Sequence, residues 1–346
     1  MKALVLTEYK NLQLDANFPD PTVGPNEVLI RVEAVGICGS DIHGYDGSTG
    51  RRIPPLVMGH EAAGEVIQLG PGVTSLKIGQ KVALDSTVFC GQCDYCRAGR
   101  INLCDNRQVL GVSCGDYRRH GAFAQFVSVP AHVAYPIPDG VTTEQAALAE
   151  AVSVAVHAVK RCTPKPDDYC LVVGAGMIGL LVVQSLRAVG CKHIAAIDLD
   201  DSRLEMAGRF GAELLLKAGQ QGIDQTVAQW SQGRGPNHVL EVVGAQATIE
   251  LSITLTRKGG NVVLVGNVSP RVEIPLQRVV AGELTLLGSC ASAGEYTEAL
   301  AWMQDGRIDV QPIISAKCTL DQAGDWIAKL YAGVPNTMKV VVRPND

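Results

Sequence analysis

The chain has 346 residues, a formal net charge of −5 and a hydrophobic fraction of 47%. That length makes about two domains with ordinary cores, and the acidic balance argues against a nucleic-acid binder, which carries a basic face. Charges interrupt any apolar run in 1–12, so no signal peptide is legible, and the most apolar stretch, 171–183, is too short to span a bilayer. Eleven cysteines in a chain with no legible export signal point to reduced thiols and metal ligation, so a cytoplasmic location is expected.

Residues 1–150 read as β-rich. Positions 27–35 alternate as a partly buried strand does, and turn signals recur at Pro25-Asn26, Pro71-Gly72 and Asp139-Gly140. The pattern changes near residue 143. A helix is predicted over 143–161, ended by Pro164-Lys165-Pro166. Strands at 169–173, 193–197, 213–216, 238–242 and 261–265 then alternate with helices at 177–189, 202–210, 221–232 and 247–256. Such alternation specifies an α/β fold with a doubly wound parallel sheet. A strand from about 284, helices at 294–303 and 321–331 and a last strand at 339–343 follow. This tail is expected to rejoin the first domain, since it has too little core alone.

Cys90, Cys93, Cys96 and Cys104 are spaced so that four thiolates can converge on one tetrahedral ion. Structural zinc is the favoured reading; disulfides and an iron–sulfur cluster are the alternatives. The thiols outside the metal motifs, Cys114, Cys162, Cys170, Cys191, Cys290 and Cys318, read as small buried hydrophobes.

Gly174-Ala175-Gly176-Met177-Ile178-Gly179 lies between a predicted strand and a predicted helix. Gly174 permits the tight turn, Gly176 lets backbone approach a pyrophosphate, and Gly179 lets the helix pack closely. The helix N-terminus then offers free N–H groups to the phosphates. Asp198 ends the second strand, where a carboxylate accepts from ribose hydroxyls and repels a 2′-phosphate, so NAD is favoured over NADP. Arg203 lies over the adenosine end or is a solvated helix residue.

Three more segments carry candidate ligands: Cys38 in Gly36-Ile-Cys38-Gly-Ser40-Asp41-Ile-His43, His60 and Glu61 in Gly59-His60-Glu61, and Glu150 in Leu148-Ala-Glu150-Ala151. Together with the cysteine lobe and the glycine loop, in that order, they resemble the zinc-dependent medium-chain alcohol dehydrogenases, sorbitol (polyol) dehydrogenase branch. The resemblance implies a GroES-like catalytic domain at 1–152 and 288–346 and a Rossmann NAD-binding domain at 153–287, with the active site in the cleft. It implies catalytic zinc on Cys38, His60 and Glu150, directly or through water, with Glu61 as a neighbouring or exchanging ligand. A Cys/His/Glu set with one open position suits a catalytic zinc. It assigns the proton relay to Ser40 and His43 or to Glu150, and a supporting role to Asp41. Val265, Gly266 and Asn267, with Ser289 and Cys290, are implied to meet the nicotinamide end, while Glu241 and Gly244 are structural. A homodimer or homotetramer is implied, with the strand near 284–288 as an edge.

The implied reaction is reversible oxidation of a secondary alcohol of a polyol or sugar derivative, with hydride passing to the nicotinamide. Threonine dehydrogenase-like or general secondary alcohol dehydrogenase activity, or a non-catalytic NAD-binding relative, are the alternatives. The sequence departs from the polyol branch at Ala151, where Pro is usual, at Gly44, where an aromatic is usual, and at Ser289–Ser292, where an Arg-Tyr pair is usual. Arg51-Arg52 and Arg118-Arg119-His120 are expected either to meet an acidic substrate group or to be solvated loop charge or a subunit contact.

Overall fold

The computed structural model describes all residues, Met1–Asp346. Two compact units emerge: Met1–Glu150 with Ser292–Gln304 and Val310–Asp346, and Ala151–Ala291 with Asp305–Asp309.

The first unit is built on a seven-stranded sheet. Its strands run in the order Ala134–Pro136, Lys81–Leu84, Glu61–Leu69, Glu27–Gly36, Lys339–Arg343, Ile314–Thr319, and Phe126–Pro130 also pairs with Glu27–Gly36. Glu27–Gly36 buries Val28, Ile30, Val32 and Ala34 fully, the alternation its sequence shows. Phe123, Met58, Leu6 and Leu56 fill the core beside it.

Register, more than sequence proximity, assembles the site. Gly36 lies opposite Glu61, and Val341 lies opposite Gly36, so three strands from distant parts of the chain meet. Gly36 must be glycine there, because a Cβ would stand 2.3 Å from Oε2 of Glu61. The C-terminal strand Lys339–Arg343 thus joins the first unit's sheet.

The second unit carries six parallel strands in the order Leu214–Lys217, His193–Asp198, Tyr169–Val173, His238–Glu241, Asn261–Leu264, Thr285–Gly288. Chain direction across the sheet reverses at Tyr169–Val173, the switch point where doubly wound sheets hold ligands. Leu171 and Val172 are wholly buried, as a strand covered on both faces requires.

The helix predicted over 143–161 forms as two, Thr143–Ala147 and Ala149–Cys162. Thr142 and Gln145 form a capping box, and the Leu148 N–H is shared between the Gln145 and Ala146 carbonyls, which tightens and ends the first helix. Glu150 therefore sits in the first turn of the second. Of the six thiols expected to be buried, Cys162, Cys170, Cys191 and Cys318 are, but Cys114 is part-exposed and Cys290 exposed. No helix is long and apolar enough to cross a membrane.

Candidate active site

Cys38 caps the short helix Gly39–Tyr45, and its backbone N–H donates to Oδ2 of Asp41 at 3.1 Å. That bond fixes a wholly buried carboxylate under the site. The other oxygen of Asp41 stands 3.3 Å from Nδ1 of His60, and Nε2 lies on the side of Ser40. Cys38, His60 and Glu61 bring one ligand atom each within 4.8 Å of the others.

Charge in this pocket is dense. Burial works against a charged His60, but the Asp41 carboxylate and the Cys38 sulfur overcome it and hold the imidazole well above its usual value. Burial pushes the other way on Asp41, whose carboxyl is nevertheless lowered by His60 and Arg52. Lys339 is buried too, and its Nζ lies 2.6 Å from Oε2 of Glu61 and 2.9 Å from the Ile37 carbonyl oxygen. The remaining Glu61 oxygen, Oε1, is buried without a hydrogen-bond partner. An orphaned carboxylate oxygen beside a thiol and an imidazole is the donor set that a divalent ion satisfies.

Glu150 stands apart from that triplet. Its Oε1 accepts from Ser86 Oγ at 3.2 Å, and burial raises its carboxyl, with His60 opposing and Glu61 adding to the shift. The structure thus brings Cys38, His60 and Glu61 into one cluster and leaves Glu150 near enough to feel it. Ser40 is close as well, with Oγ 3.4 Å from His60 Nε2. His43 is exposed on the last turn of the same helix.

The cysteine lobe gathers Cys90, Cys93, Cys96 and Cys104 into a second cluster. The Cys90 and Cys96 sulfurs are 4.0 Å apart, beyond any disulfide bond. Backbone N–H groups of Gln92 and Cys93 hold Cys90 down to about 6, while burial and its neighbour Cys93 push Cys96 up to about 12. Four crowded thiols cannot all ionise unaided; one divalent cation removes the conflict. Both clusters fit zinc.

In the second unit Gly174 has φ +100, and a Cβ there would strike Val243 Cγ2 at 2.5 Å. A Cβ on Gly179 would stand 1.9 Å from the Gly174 oxygen, whereas nothing lies within 4 Å of the Cβ position of Gly176. Gly176 starts the helix Met177–Ala188 without a side-chain cap, so its first N–H groups stay available to phosphate. Ile178 lies in the first turn. Asp198 Oδ2 accepts the Ala175 N–H at 2.6 Å, tying the carboxylate to the loop, and Arg203 Nη1 is 4.0 Å from Asp198 Oδ1. Open space, free donors and a carboxylate fit a dinucleotide.

Val265 and Gly266 both donate to the Glu241 carbonyl oxygen, at 2.9 and 3.2 Å. Gly244 and Gly266 pack backbone on backbone, since a Cβ on Gly266 would stand 2.2 Å from the Gly244 nitrogen. The buried Glu241 carboxylate accepts from Val243, Gly244 and Thr248, holding that turn. Asn267 and Cys290 are exposed, and Ser289 donates its N–H to Leu264.

Residues 24–139 match the family described as alcohol dehydrogenase GroES-like domain, and residues 178–305 match the one described as zinc-binding dehydrogenase. The chain belongs to the zinc-dependent medium-chain alcohol dehydrogenases. It is 32% identical over 350 residues to sorbitol dehydrogenase of Bacillus subtilis (strain 168), covering 100% of this chain and 98% of the relative. It is 33% identical over 309 residues to L-idonate 5-dehydrogenase of Vitis vinifera, covering 87% and 83%. A zinc-binding dehydrogenase from Sinorhizobium meliloti 1021, solved bound to NADP, shares the fold with a TM-score of 0.90 at 30% identity over 99% of both chains. Within the family the chain falls in the sorbitol dehydrogenase-like branch.

Two residues of this medium-chain dehydrogenase escaped sequence reasoning. Lys339 reads only as the start of a strand, although a lysine opening the run Lys-Val-Val-Val was a signal for a buried pair. Arg52, grouped by sequence with Arg51 and Arg118–Arg119, is alone among them in reaching the site: Nη2 donates to Ser40 Oγ at 3.3 Å. Arg119 instead donates to Gln108 and faces Glu27, and His120 Nδ1 accepts from the Val57 N–H. The sequence offers no periodicity that separates these arginines.

Proposed function

We propose that this dehydrogenase reversibly oxidises a secondary hydroxyl of a polyol or sugar derivative to the ketone, with NAD as hydride acceptor. The reading rests on the buried thiol, imidazole and carboxylate of Cys38, His60 and Glu61 gathered within 4.8 Å, with Glu150 beside them. Zinc on these groups supplies a Lewis acid for the negative charge that develops on the substrate oxygen. Asp41 holds the His60 ring, and Lys339 compensates the charge of Glu61. Ser40 presents a hydroxyl to the reacting oxygen, and His43, on the solvent side of the same helix, passes the released proton outward. Glu150 and Ser86 form a second polar route from the cluster. Cys90, Cys93, Cys96 and Cys104 would hold a structural zinc, a closed set with no position for substrate.

The Asp198 carboxylate supports NAD, since a 2′-phosphate beside it meets like charge. Gly174, Gly176 and Gly179 would receive the pyrophosphate, with Val265, Gly266, Asn267, Ser289 and Cys290 at the nicotinamide end. The names of the relatives, sorbitol dehydrogenase and L-idonate 5-dehydrogenase, support polyols and sugar acids as the substrate class. Thr285–Gly288 leaves one edge of its sheet unpaired, which supports a homodimer or homotetramer. Eleven cysteines, none in a disulfide bond, support a cytoplasmic protein.

A panel of polyols, sugar acids and their phosphates, followed by NADH absorbance, tests the reading. Turnover of a polyol or sugar acid with NAD is expected; turnover confined to primary alcohols, or none across the panel, contradicts it.

A further inference from the structure

Arg52 is 5% exposed, although it lies in a segment that the sequence marks as a loop. Its stem passes over the helix Gly39–Tyr45 at Gly44, where a Cβ would stand 2.3 Å from Arg52 Cγ. Glycine at 44 is therefore what admits the arginine. At its tip, Nη2 is 3.3 Å from Ser40 Oγ and 3.8 Å from Asp41 Oδ1, Nη1 donates to the Arg51 carbonyl oxygen, and Nε is buried with no partner. A buried cation with an unsatisfied donor is a costly device for holding a loop. The one side chain that accepts a hydrogen bond from it is the Ser40 hydroxyl, which also meets His60.

We propose that Arg52 is a positioning residue that aims the Ser40 hydroxyl proton at the reacting oxygen. The inference rests on the reading of this site as an alcohol-oxidising centre. A guanidinium can only donate, so Ser40 Oγ accepts from Arg52, and its single proton must point elsewhere. The other neighbour of Oγ is His60 Nε2 at 3.4 Å. Asp41 Oδ1, an acceptor, lies 3.3 Å from Nδ1, so in the neutral form that metal ligation requires the proton would stay on Nδ1 and Nε2 would offer the lone pair. With a metal ion on that nitrogen, His60 would no longer accept from Ser40, and the Ser40 proton would be free for a substrate oxygen. The positive charge behind Oγ makes the hydroxyl a stronger donor to a developing alkoxide.

A double-mutant cycle on the zinc-loaded protein tests this, with Ser40→Ala, Arg52→Met and both together. Each single variant is expected to lower kcat by about 10- to 100-fold, with KM changed less than about threefold. The double variant is expected to match Ser40→Ala within about a factor of two, because residues acting through one another are not additive. A second readout needs no turnover: the visible spectrum of the cobalt(II)-substituted protein as a function of pH. Its midpoint is expected to rise by about 0.5 to 1 unit in each single variant, and Arg52→Met should add nothing in the Ser40→Ala background. Arg52→Lys, which keeps a donor and the charge, should recover part of both effects. Additive losses, or a midpoint that Arg52→Met shifts equally with and without Ser40, overturn the proposal. Absence of turnover in the unaltered protein overturns the alcohol-oxidising reading instead, and the cobalt spectra still decide whether Arg52 acts through Ser40.

Discussion

Lys339 Nζ lies 2.6 Å from Glu61 Oε2, with both side chains at 1% exposure or less. The pair links the C-terminal strand to the residue that follows His60, across nearly the whole length of the chain. Burial alone would drive a lysine toward neutrality; Glu61, and then the Cys38 sulfur, keep it charged and raise its pKa. Lys339→Met leaves Glu61 buried without its counter-charge. Removing one partner of such a pair costs about 3–5 kcal/mol. Urea denaturation should show that loss, with Lys339→Arg intermediate. An unchanged midpoint would mean that Glu61 has other compensation.

How much of this was legible in the sequence depended on whether the signal is local. The glycine loop, the four-cysteine lobe and the β–α alternation after residue 169 are local patterns, and the structure places them accordingly. Cys38, His60 and Glu150 have no local signature as ligands, and the resemblance, not spacing, picked them out. Lys339 and Arg52 are decided by strand register and by the gap at Gly44, which no periodicity encodes. The break at Leu148 was missed because its residues all favour helix; only the shared N–H and the Thr142 cap reveal it.

Asp198 should govern cofactor choice. Its carboxylate lies against the glycine loop and ties down Ala175. Asp198→Ala is expected to lower kcat/KM with NAD by about 10- to 100-fold, the worth of one or two hydrogen bonds to a charged group. The ratio of NADP to NAD activity should rise. Steady-state kinetics with both cofactors checks this, and an unchanged ratio places the discrimination elsewhere.

Asp85 should make stability depend on pH. It is buried, and desolvation followed by the charges of Glu150 and Glu295 raises it to about 7, against the N–H of Thr87. The folded state therefore holds a proton that the unfolded chain has released above about pH 4. With the folded pKa above the unfolded one, this contribution is complete below about pH 4 and is lost as pH rises through about 7. Asp85→Asn keeps an acceptor for Thr87 and carries no charge. Denaturation curves from pH 5 to 8 should fall less steeply for the variant, with a relative gain on the order of a few kcal/mol at the upper end. Parallel curves would mean that the carboxyl titrates normally.

The two metal clusters should separate in their effects. Cys96→Ser is expected to lower the melting temperature and loosen the lobe, because a closed thiolate set contributes folding energy. Cys38→Ser should abolish turnover while leaving melting within a few degrees. Calorimetry and activity on both variants distinguish these outcomes; loss of stability in Cys38→Ser with full activity would reverse the assignment.

Zinc counted per chain by native mass spectrometry bears most directly on the caged ion at Cys38, His60 and Glu61. Two ions per chain is the predicted result, one in each cluster. A single ion, retained in Cys38→Ser and lost in Cys96→Ser, would leave the buried thiol, imidazole and carboxylate without the metal that the whole mechanism requires.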